Sequence, residues 1–125
     1  MSAVIPATPG HVGLADGRWQ QLTLVEQLAN IGSEYGRAAR ARAAENVPRL
    51  EAALDRCLEL FDLSLADDRW RGRRRELARA REVVCRVLLG TGDRRSEALS
   101  LDRYFLAFAV AAPRRRPVSG RALMS

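Results

Sequence analysis

The chain has 125 residues, 21 basic against 15 acidic, for a net charge of +6. Hydrophobic residues make up 47% and aromatics only 6%, so Leu, Ala and Val fill one domain-sized core. That composition argues against a sheet protein, which favours aromatic and β-branched residues, and no segment reaches the roughly 20 apolar residues that span a bilayer.

Every basic residue is arginine. Its planar donor fork suits phosphate and carboxylate, and the positive balance fits nucleic acid or an acidic protein partner. The sequence predicts an arm over residues 1–18, a four-helix bundle over 19–112 and a basic tail over 113–125. With no basic, apolar leader at the start, the expected location is the cytoplasm.

The first helix begins at Thr23, which with Glu26 has the spacing of a capping box. Leu24, Leu28, Ile31, Tyr35 and Ala38 then recur as one apolar stripe. Ala29, Gly32, Gly36 and Ala39 form a strip of small residues beside it, and the glycines predict close approach of another backbone. Asn46-Val47-Pro48 opens a second helix, because proline is tolerated in a first turn. Leu50, Leu54, Cys57, Phe61 and Leu65 line its inner face.

Asp67 or Asp68 is expected to cap a third helix running from about Trp70 to Leu89. At 100° per residue, Trp70, Leu77, Ala80, Val84, Val87 and Leu88 share one face. Arg71, Arg75, Arg79 and Arg86 share the opposite face. Arg73, Arg74 and Arg81 fall nearer the core, where Glu34, Glu59 or Asp62 is expected to pair with them. A fourth helix covers about Glu97 to Ala112 and is apolar almost all round from Tyr104 onward. Such a helix must be covered on most sides, so Tyr104, Phe105 and Phe108 are expected to form a homo-oligomer interface.

Catalytic chemistry is thin. The only histidine, His11, sits in the arm, which leaves no well-placed base for a nucleophile. No zinc-ligand spacing and no glycine-rich phosphate loop occurs, so neither enzyme activity nor a cofactor or metal is expected. Cys57 and Cys85 fall on apolar faces and read as core residues.

The arginine stripe Arg71, Arg75, Arg79 stands out because like charges four apart repel. It spans ~12 Å, enough for two or three phosphates, and such contacts give salt-sensitive affinity without base selectivity. The expected nucleic-acid-binding residues are Arg71, Arg75, Arg79 and Arg86, with Arg114, Arg115 and Arg116 in the tail. The alternative is an adaptor that binds an acidic protein without nucleic acid.

The stretch Asn30-Ile31-Gly32-Ser33-Glu34-Tyr35-Gly36-Arg37 resembles the Asn-Ile-Ala-Glu-Gly-x-Gly-Arg segment of small four-helix proteins encoded in ribosomal-RNA intervening sequences. Their relatives include the accessory variability determinant proteins of diversity-generating retroelements. Asn30, Ile31, Tyr35, Gly36 and Arg37 carry the match. The resemblance implies a four-helix bundle assembled into a barrel-like pentamer, whose basic surfaces meet nucleic acid, most directly RNA, and a reverse transcriptase.

Overall fold

In the computed structural model, which describes residues 17–113, four α-helices carry the chain and no strand occurs among the described residues. They are α1 (Leu24–Ala43), α2 (Val47–Leu65), α3 (Arg74–Leu89) and α4 (Arg95–Ala111). Short 3-10 segments, Trp19–Gln21 and Asp68–Arg73, precede α1 and α3. Helix α1 packs on α2 and α4, and α3 packs on the same two, so the helices surround one core.

Local chemistry sets the boundaries. The Thr23 hydroxyl accepts from the Glu26 amide at 3.1 Å, and the Glu26 carboxylate accepts from the Thr23 amide at 2.9 Å, closing the expected capping box. The Asn46 side chain accepts from the Arg49 amide at 3.2 Å, and Pro48 occupies the first turn of α2. Between them Glu45 takes a positive φ of 58°, which lets the chain reverse.

The third helix departs from expectation. A continuous helix from Trp70 is interrupted by Trp70 itself, at φ −105° and ψ 21°, and α3 starts only at Arg74. The cause is tertiary. The Asp67 side chain caps the 3-10 segment through the Arg69 amide, and Trp70 turns its indole Nε1 to donate to Gln27 Oε1 at 2.9 Å. Arg71 therefore lies outside the regular helix that carries Arg75 and Arg79.

The core contains Leu28, Ile31, Phe61, Leu77 and Val84, each fully shielded from solvent, together with Trp19. A polar cluster sits beside them. Trp19 Nε1 donates to Ser64 Oγ at 3.1 Å, and Ser64 donates to Gln27 Oε1 at 2.6 Å. Gln27 Nε2 donates to the Trp19 carbonyl at 2.9 Å and, at a longer 3.4 Å, to Asp67. The Trp19, Gln27 and Ser64 side chains thereby partner one another, and the cluster ties the start of the described chain to α1, α2 and the 3-10 segment before α3.

Helix α4 docks through Phe105, which lies 5.4 Å from the Tyr35 ring and 6.5 Å from the Phe61 ring, measured between centroids. It sits directly on Gly32, where an added Cβ would come within 2.9 Å of the Phe105 Cβ. Where close approach of another backbone was expected, a phenylalanine side chain of α4 is seated on Gly32, and Gly36 meets only the Arg40 side chain of its own helix. Among the described residues no helix is long and apolar enough to cross a membrane.

Candidate functional site

The arginines expected to face outward divide into three kinds. Arg75 and Arg79 lie one turn apart on α3, both exposed, and neither meets a carboxylate among the described residues. Arg71 is exposed and reaches Asp68 at 3.4 Å, a long contact in high dielectric that contributes little. Arg86 does not stand open as expected. It crosses to α4 and binds Glu97 at 3.0 Å, with Glu82 at 4.0 Å. Arg114, Arg115 and Arg116 lie outside the described residues.

The three arginines expected nearer the core are all held, but only one by an expected partner, and Arg73 stands as exposed as Arg86. Arg81 pairs with Asp62 at 3.0 Å. Arg73 instead meets Glu76 at 2.9 Å, and Arg74 donates to the Leu65 carbonyl at 3.0 Å and to Asp68 at 3.4 Å. Arg73 and the Tyr104 hydroxyl, which donates to it at 2.8 Å, hold the Glu76 carboxyl below its ordinary range. Burial and that same carboxylate push the Tyr104 phenol up.

Of the expected interface residues only Phe105 is buried. Phe105 is 6% exposed and packed within the monomer, and Tyr104 and Phe108 are half-buried beside it. Their rings meet edge-on at 5.1 Å between centroids. The large apolar residues that α4 turns to solvent are Leu99, Leu106 and Val110, at 50%, 61% and 76% exposure. Their spacing of seven and four places them along one stripe.

A second basic site lies in the cleft between α1 and α2, of about 670 Å³. Arg37 and Arg40 reach it from α1, and Arg49 and Arg56 from α2. Ala41, Ala44, Ala52 and Ala53 keep its walls low, and Asn46 lies at the turn end. Glu34, largely buried, engages Arg37 at 3.0 Å and Arg56 at 3.2 Å and so draws the two helices' cations together. Arg40 and Arg49 have no carboxylate partner among the described residues. The spacings 37/40 and 49/56 already place each pair on one helix face, but their convergence needs the hairpin.

No group of three or more His, Cys, Asp or Glu side chains that could hold a metal occurs among the described residues. Cys57 is buried, and burial pushes its thiol up to about 12, where the nucleophilic thiolate is scarce at neutral pH. The exposed guanidinium groups of Arg40, Arg49, Arg75 and Arg79 present donor forks whose geometry suits anions. The chain matches no family model, no curated protein and no solved structure.

Proposed function

We propose that this chain is a non-enzymatic, nucleic-acid-binding bundle that grips the phosphate backbone, RNA in particular. The observation that carries this reading is the pair Arg75 and Arg79, exposed, one turn apart and in ion-pair contact with no carboxylate among the described residues. Two like charges one turn apart cost the helix a few tenths of a kcal/mol, a cost that an external polyanion offsets. Arg71 joins them at the edge, and the tail arginines 114–116 add charge. A reverse transcriptase as the partner, and assembly into a homo-oligomer, follow from the resemblance in α1. The stripe Leu99, Leu106, Val110 supplies the apolar surface that assembly needs.

Fluorescence anisotropy with a structured RNA at low and moderate salt tests the reading. The wild type binds, with affinity falling steeply as salt rises. The double substitution Arg75→Gln/Arg79→Gln reduces the salt slope by about 2. Binding that is absent, or that keeps its slope in the double variant, refutes it.

The exposed apolar stripe also favours a second reading, an adaptor that docks an acidic protein through α4. Co-purification of such a protein free of nucleic acid, lost on Leu106→Glu, separates the two.

A further inference from the structure

We infer that the α1–α2 cleft is a binding site for an oligophosphate group, separate from the Arg75–Arg79 surface and independent of its role. Four arginines from two helices converge on it, and Glu34, bound to Arg37 and Arg56, leaves a surplus of three positive charges. Arg40 and Arg49 bring guanidinium groups that no carboxylate among the described residues occupies. The volume of about 670 Å³ falls in the ~300–1,000 Å³ range of small-molecule sites.

The lining selects the ligand class. It holds four guanidinium forks, the Asn46 side chain and four alanines, with no aromatic ring. Guanidinium forks bind phosphate oxygens in pairs, whereas a base needs a ring to stack on. The cleft therefore recognises the phosphates and not the base. A surplus of three charges matches a triphosphate group better than a single phosphate. Such a group occurs free on nucleotides and at the 5′ end of an unprocessed RNA.

Isothermal titration of the full chain with inorganic triphosphate tests the site. Wild-type protein binds it, while Arg40→Gln and Arg49→Gln each weaken binding by about tenfold. Both residues are exposed, so far-ultraviolet circular dichroism is expected to be unchanged. Arg75→Gln/Arg79→Gln binds triphosphate as the wild type does, which separates this site from the RNA-binding surface. No binding of triphosphate, equal loss in the Arg75/Arg79 variant, or equal affinity for citrate overturns the inference. Comparing a nucleoside triphosphate with a 5′-triphosphate RNA and its 5′-hydroxyl counterpart identifies the source: whichever triphosphate carrier gains more from the group is the ligand.

Discussion

Two glycines four residues apart on α1 are expected to respond to alanine with opposite signs. In a helix interior, glycine to alanine is favourable by about 1 kcal/mol, because alanine loses less backbone freedom. At Gly36 the new methyl would meet only the end of the Arg40 side chain, at 3.4 Å, which is free to swing away. Gly36→Ala should therefore stabilise the protein by about 0.5–1 kcal/mol. At Gly32 the methyl would stand 2.9 Å from Phe105 Cβ and 3.0 Å from its Cγ. Neither atom can yield without moving α4, since Phe105 is wedged against Tyr35 and Phe61. Overpacking of this kind costs about 1–3 kcal/mol, which outweighs the propensity gain, so Gly32→Ala should be net destabilising. Urea denaturation followed by circular dichroism at a fixed pH reads both, with the denaturant slope unchanged if the unfolded state is unaffected. Stabilisation by Gly32→Ala comparable to that by Gly36→Ala would refute the seating of Phe105 on α1.

Further expectations come from the polar cluster and the cysteines. Gln27→Leu keeps the volume but strands the Ser64 hydroxyl proton and the Trp70 indole N–H, while the Trp19 carbonyl keeps the Leu22 amide and Asp67 keeps Arg69. A loss of about 2–4 kcal/mol is expected, and a change under about 1 kcal/mol in the same denaturation assay would contradict the network. The hydrogen-bonded Arg69 holds the Asp67 carboxyl below the ordinary carboxylate range. Its contribution is therefore present above about pH 4, the unfolded value, and is lost as pH falls through the lower folded value. Thermal melts from pH 6 downward should show a shallower acid decline in Asp67→Asn than in the wild type; parallel curves would exclude Asp67. An aromatic disulfide reagent at neutral pH should label half-buried Cys85 before buried Cys57, with Cys57 reacting only on unfolding, as mass spectrometry of the labelled peptides would reveal.

Much of this protein was written in local patterns. The Thr23–Glu26 box, the Asn46–Pro48 start and the inner stripes of α1 and α2 depend on residues within a turn or two of each other, so sequence spacing suffices to read them. For the arginines nearer the core, sequence left Glu34, Glu59 and Asp62 open as partners, and packing selected Asp62 for Arg81. Spacing did not reveal where one element bends to satisfy another. Trp70 leaves helical geometry to reach Gln27, 43 residues away, and this splits the arginine block and moves Arg71 off the α3 stripe.

The fate of the outward arginines was likewise decided in three dimensions. A helical wheel assigns Arg86 to solvent, but Glu97 of α4 comes within 3.0 Å of it. The wheel also treats the aromatics of α4 as one apolar mass, whereas the packed helix turns Phe105 inward and leaves Leu99, Leu106 and Val110 outside. The sequence by itself determined an all-helical chain rich in arginine, because helix periodicity, caps and charge are properties of neighbouring residues. Only the tertiary structure decided which arginines lack a carboxylate partner among the described residues, Arg40, Arg49, Arg75 and Arg79 among them. Neutralisation depends on distances between side chains far apart in the chain, and those distances are set by packing.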